Sequence, residues 1–220
     1  MLTFTQEILY TLKRVADETE ARSMAKNVKE QFEFLGVKVI TRRELTYPIF
    51  EKHIPKNSDD LIRRVEELWG LPYRELQYVA CDYLFRHREL LMGNHLGFLK
   101  KLIKTRAWRD TVDVIATSIL GDLAWRLPAV RSKIAVWIRD PNIWIRRSAL
   151  IFQLQYREKT DWSLLRECCV TCADDEDFYI RNGIGRALCE YARINPSEVK
   201  RFVLSNVLSM QIVQEVLKHV

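Results

Sequence analysis

Four stretches decide the reading of the fold: Tyr73-Arg-Glu-Leu-Gln-Tyr-Val-Ala80, Trp108-Arg-Asp-Thr-Val-Asp-Val-Ile115, Asn142-Ile-Trp-Ile-Arg-Arg-Ser-Ala149 and Asp177-Phe-Tyr-Ile-Arg-Asn-Gly-Ile184. Laid over one another, they put Leu76, Thr111, Ile145 and Ile180 in register at separations of 35, 34 and 35 residues. A period in this range marks stacked helix pairs, since one pair cannot bury its apolar face without a neighbour. The expected fold is therefore all-α, a curved solenoid of stacked two-helix repeats over residues 1–220. The second helix of each pair should line the concave side, and the sequence marks no internal domain boundary, linker or low-complexity segment.

The surrounding sequence agrees. Gly36, Pro55, Gly70-Leu71-Pro72, Gly93, Pro128, Pro141 and Asn195-Pro196 punctuate segments of helical length. Between them, apolar residues recur at intervals of three and four, as in Leu61-Ile62, Val65 and Leu68-Trp69. Ser58-Asp59-Asp60 supplies a cap and an acidic first turn.

The register also carries a functional expectation. Two positions after the anchors stand Tyr78, Asp113, Arg147 and Asn182. Equivalent positions in successive repeats are neighbours on one surface, so Asp113 and Arg147 should sit side by side. Arg109 lies four residues before Asp113 and Arg186 four after Asn182, which puts both on the same face. A single carboxylate among several guanidiniums fits either a binding site or a structural ion-pair ladder between repeats.

Composition narrows the function classes. Lys and Arg number 35 against 29 Asp and Glu, a net charge of +6 that suits a polyanionic partner and also favours solubility. Basic residues gather around aromatics at Lys100, Lys101, Lys104, Arg106, Trp108 and Arg109, and again at Arg139, Trp144, Arg146, Arg147 and Arg157. Such side chains supply the sequence-independent part of nucleic-acid affinity. The five cysteines read as reduced thiols of a cytoplasmic protein, and the opening residues show no secretory h-region. No apolar run reaches the roughly 20 residues of a membrane span. Cys169-Val-Thr-Cys172 lacks a second ligand pair for zinc, and the four histidines form no i,i+4 pair, so neither metal nor cofactor is expected.

A family resemblance runs through the chain in order. Its residues are Met24-Ala-Lys, Phe32-Glu-Phe-Leu-Gly36, Arg42-Arg43, Glu67-Leu-Trp69, Leu71-Pro72, Trp108-x-Asp-x-Val-Asp113, Leu120-Gly-Asp122, Asn142-Ile-Trp144, Arg147, Phe152-Gln-Leu154 and Glu190-Tyr-Ala192 with Asn195-Pro196. The sequence resembles the AlkD family, the HEAT-like-repeat alkylpurine DNA glycosylases. The resemblance implies a concave face that holds duplex DNA and cuts the N-glycosidic bond of cationic alkylated purines, without drawing the base into a pocket. It assigns Asp113 as the carboxylate that stabilises charge developing on the deoxyribose and Arg147 as a backbone-holding arginine.

The departures fall at the site. Arg109 and Arg186 stand where the family has two tryptophans, and Asn27 stands where the prototype has a minor-groove tyrosine. Residues 17–33 around Asn27 hold five acidic and three basic side chains, a poor composition for gripping DNA. An indole face attracts a cation by roughly 0.5–2 kcal/mol, whereas a guanidinium repels it. The expectation is a monomer that binds duplex DNA weakly and salt-sensitively, with phosphate contacts from Lys100, Lys101, Lys104, Arg147 and Arg181 and little alkylpurine excision. Two alternatives stand beside it: an active glycosylase releasing 3-methyladenine and 7-methylguanine through Asp113, and a protein-interaction solenoid.

Overall fold

A computed structural model describes residues 2–220, and the chain is helical throughout them. Among the described residues there is no strand ladder; one isolated bridge pairs Glu33 with Tyr73. The helices gather into two compact units, one ending at Leu91 and the other beginning at Met92, although the sequence marks no boundary there.

The first unit holds α1 (Phe4–Lys13), α2 (Glu18–Asn27), α3 (Val39–Lys52), α4 (Ser58–Gly70) and α5 (Arg74–Arg86). The second holds α6 (Leu96–Lys104), α7 (Arg109–Val114), α8 (Gly121–Arg126), α9 (Pro128–Ala135), α10 (Ile143–Ile151), α11 (Trp162–Thr171), α12 (Phe178–Ala192), α13 (Pro196–Ser205) and α14 (Met210–Leu217). A π-helical stretch, Ile115–Leu120, joins α7 to α8.

The sequence period reappears as a period of helix starts. Tyr73, Trp108, Asn142 and Asp177 are the N-cap residues of α5, α7, α10 and α12. Leu76, Thr111, Ile145 and Ile180 are each the third residue of their helix, and none is more than 1% exposed. Two of these starts have a clear local cause. The Asn142 side chain accepts from the backbone N–H of Trp144 and Ile145, and Asp177 does the same for Tyr179 and Ile180. Each satisfies donors that the first helical turn leaves without partners. Pro128 and Pro196 open α9 and α13, where a missing N–H costs nothing.

In the first unit, α1 packs on α3 and α4, and α5 packs on α3 and α4. Phe4, Ile8, Phe50, Leu61, Leu76 and Tyr83 fill the space between them. Helix α2 buries no side chain and is shorter than the acidic stretch around it, ending at exposed Asn27. Lys29 and Glu30 then turn the chain with φ of 54° and 57°.

The fully buried carboxylate of Glu75 accepts the backbone N–H groups of Leu35, Gly36 and Val37 at 2.8–3.1 Å. It thereby fixes the loop leading into α3. Gly36 sits in that loop at φ +84°, where a Cβ would stand 2.0 Å from the Asp17 carbonyl oxygen, so only glycine passes. Replacing Glu75 with alanine would leave three buried donors unsatisfied, each costing about 1–3 kcal/mol. Glu75→Ala should lower unfolding free energy in urea by about 3 kcal/mol or more, and Glu75→Gln by visibly less. A loss below about 1 kcal/mol for alanine would contradict this account of the loop.

Candidate functional site

The site lies within the second unit, where α10 packs on both α7 and α12. Asp113 comes from the last turn of α7, Arg147 from the middle of α10, and Asn182 and Arg186 from one face of α12. The repeat register brings them together as the sequence spacing predicts.

Arg147 is fully buried. Its Nε donates to Asp113 Oδ1 at 2.7 Å and its Nη2 to Asp113 Oδ2 at 2.8 Å, a two-pronged guanidinium–carboxylate pair. Its Nη1 donates to the Tyr179 carbonyl oxygen at 2.6 Å and, more weakly, to Asn182 Oδ1 at 3.3 Å. One side chain thus links three successive repeats. Gly183 gives it room: a Cβ there would lie 3.4 Å from Nη1 and from Leu150 Cδ1. Arg186 completes the group, its Nη1 donating to Asp113 Oδ2 at 2.6 Å. Its side chain is half exposed, whereas that of Asp113 is 15% exposed.

Both oxygens of Asp113 are therefore occupied by arginine. The partner from α12 is Arg186; Arg109, the nearer arginine in sequence, is exposed and not bonded to Asp113. It lines a cavity of about 560 Å³ together with Arg181, Asn182, Arg186 and Phe178.

Two expected phosphate contacts change character in the structure. Arg147 has its donors committed inside the protein and presents none to solvent, so it holds helices rather than a DNA backbone. Lys100 donates to Asp140 at 2.7 Å and lies over the Trp137 ring. Burial would raise the Asp140 pKa, but the hydrogen bonds from Lys100 and the Asn142 N–H hold it below its ordinary value. Lys101 and Lys104 are exposed on α6, and Arg181 is part-buried at the cavity with an unbonded Nε. Asn27 belongs to the first unit.

In the sequence, Trp108 and Trp144 stand out only as aromatics among basic residues, and Tyr179 is missed. Trp108, Trp144 and Tyr179 form an aromatic cluster with ring centroids 4.7–6.2 Å apart, and Tyr179 is also the residue whose carbonyl oxygen Arg147 binds. Trp144 and Tyr179 share the position before their anchors, a correspondence that the repeat register could have found. The π-helical stretch begins two residues after Asp113, and the Thr117 hydroxyl donates to the Asp113 carbonyl oxygen at 2.8 Å.

Both cysteines of the C-x-x-C motif are buried, and burial pushes the Cys169 thiol well up and the Cys172 thiol to about 11. Among the described residues no group of three or more His, Cys, Asp or Glu could hold a metal ion. No described helix is long and apolar enough to cross a membrane.

Comparison with known proteins places these features. Residues 8–219 match the model of a family described as DNA alkylation repair enzyme. A solved structure titled "Predicted DNA alkylation repair enzyme from Enterococcus faecalis" superposes with a TM-score of 0.88 at 26% identity, covering 93% of this chain and 96% of that one. No curated protein matches the sequence.

The geometry predicts unequal contributions to stability. Removing one partner of a buried ion pair strands the other, typically costing about 3–5 kcal/mol, whereas an exposed pair contributes about 0–1 kcal/mol. In urea unfolding, Arg147→Ala should cost about 3 kcal/mol or more and Arg186→Ala less than about 1 kcal/mol. Equal losses would contradict the division of roles.

Proposed function

Because the chain belongs to the DNA alkylation repair enzyme family, we propose that it is a DNA-binding member with little or no alkylpurine excision. The observation that carries this reading is the occupancy of Asp113 by Arg147 and Arg186 at 2.6–2.8 Å. A carboxylate that assists glycosidic cleavage must face the positive charge developing on the sugar. Electrostatic stabilisation of that charge is commonly the largest catalytic contribution, with one donor or dipole worth about 3–4 kcal/mol. Here the carboxylate faces two guanidiniums, and the three-residue group carries a net positive charge. A cationic base entering the cavity beside it would meet the like charge of Arg186 and Arg109, both of which line that cavity.

Duplex binding rests instead on three exposed cations and one part-buried at the cavity. Lys101, Lys104, Arg109 and Arg181 are the candidates for phosphate contact, and Arg147 acts through the helices it positions. Contacts of this kind read no sequence and weaken steeply with salt. The expected affinity is that of non-specific association, about 10⁻⁴–10⁻⁶ M at physiological salt. The reading has the chain act as a cytoplasmic monomer, nucleoid-associated when bound.

One observation favours a working glycosylase as the second reading. Arg186 is half exposed and holds Asp113 by a single hydrogen bond. Were it to turn toward a phosphate, Oδ2 would lose one of its two partners.

The test is release of 3-methyladenine and 7-methylguanine from methylated duplex, beside salt-titrated binding to intact duplex. The expected result is release at the spontaneous rate with binding that falls as salt rises. Release that disappears in Asp113→Asn would establish the glycosylase reading. Absence of duplex binding even at low salt would favour a protein-interaction role.

A further inference from the structure

The cavity beside Arg186 gathers two of the cations proposed above for phosphate contact, Arg109 and Arg181, beside an aromatic side chain. Four of its lining residues are arginines: Arg109, Arg181, Arg186 and Arg193. Arg186 is bound to Asp113, and Arg193 to Glu190 at 3.5 Å. Glu215, the other carboxylate in the lining, is bound to Lys218 at 2.9 Å. Among the described residues, Arg109 and Arg181 have no carboxylate partner, and the Arg181 Nε is buried without any hydrogen bond. Two guanidiniums are thus left to face the space.

The remainder of the lining is mixed: Asn182, Gln211 and His219 are polar, and Phe178, Gly185, Cys189 and Ile212 supply its apolar part. Phe178 is 64% exposed and packs edge-on against Tyr179, which leaves its ring open to a stacking partner. Ile212 and Gly185 contribute to the walls. A Cβ placed on Gly185 would meet no atom within 4 Å, so the helix surface there opens onto empty space.

We propose that this cavity binds a nucleoside monophosphate unit, with the phosphate monoester between Arg109 and Arg181 and the base stacked on Phe178. The inference rests on the reading that this part of the protein meets nucleic acid, and it names a ligand class for it. A phosphate monoester carries about −1.5 to −2 charge at neutral pH. That matches two unpaired guanidiniums, where an internal phosphodiester with a single charge matches one. A volume of about 560 Å³ falls within the range of small-ligand pockets, roughly 300–1,000 Å³. The unit has two sources, a free nucleotide or the 5′-phosphorylated end of a strand.

Isothermal titration with deoxyadenosine monophosphate, deoxyadenosine and inorganic phosphate tests this directly. The monophosphate should bind at least about tenfold more tightly than either fragment, since stacking on an aromatic ring and a charge-assisted hydrogen bond each contribute about 1–3 kcal/mol. Arg181→Gln and Phe178→Ala should each weaken binding by about tenfold for the same reason. Gly185→Leu should abolish it without lowering the urea midpoint, since the new side chain enters open space and replaces a glycine inside a helix. Tighter binding of a 5′-phosphorylated than a 5′-hydroxyl oligonucleotide would identify strand ends as the source, and equal binding would identify free nucleotide.

No binding of the monophosphate at millimolar concentration would overturn the inference. So would binding unaffected by Arg181→Gln and Gly185→Leu. Duplex affinity measured in the same buffers separates the two readings: nucleotide binding without duplex binding would sink only the proposed function, and the reverse only this site.

Discussion

The pair between buried Arg147 and Asp113 is the interaction on which the second unit depends. Its two parallel hydrogen bonds join α7 to α10, and the third donor of the same guanidinium reaches the backbone of α12. A charge in that position is tolerable only while every donor is satisfied, because an unpaired buried guanidinium would cost several kcal/mol. The pair therefore constrains its surroundings. Gly183 must remain small where the guanidinium passes, and Asp113 must keep its oxygens turned toward α10. A residue so placed is a structural tie first, and whatever chemistry the carboxylate performs must be compatible with that duty.

The same constraint shapes function. In the family this chain belongs to, the resemblance assigns the carboxylate to a cation on the ligand, with aromatic walls beside it. Here the positions expected to hold tryptophan carry Arg109 and Arg186, and the second of these closes on Asp113. Replacing indole by guanidinium reverses the sign of the interaction with a cationic base. On the proposed reading, the same change would favour an anion next to Asp113, so that loss of one chemistry and gain of affinity for phosphate would follow from one substitution pattern.

Much of the fold was legible because the repeat is written twice, in apolar anchors and in helix caps. Leu76, Thr111, Ile145 and Ile180 mark buried third positions, and Asn142 and Asp177 are capping residues that hydrogen-bond the first turn. The neighbours of Asp113 followed from the same spacing. What failed to show was orientation. Arg147 and Lys100 read as solvent-facing cations, yet one is buried and the other is bound to Asp140, because a long side chain reaches partners in another repeat. Of the two further arginines that the spacing put on the same face, Arg186 from α12 bonds Asp113 and Arg109 from α7 does not, a choice that spacing alone does not make. The π-helical stretch after Asp113 and the division after Leu91 carry no composition signal.

The central claim is that Asp113 is held by arginines and not by ligand, and a crystal structure in complex with duplex DNA bearing a stable cationic-purine analogue tests it most directly. The account predicts that Arg147 and Arg186 remain within hydrogen-bonding distance of Asp113, with the lesion sugar held away from the carboxylate. A complex in which Arg186 has swung onto a phosphate and Asp113 faces the lesion's deoxyribose would contradict it.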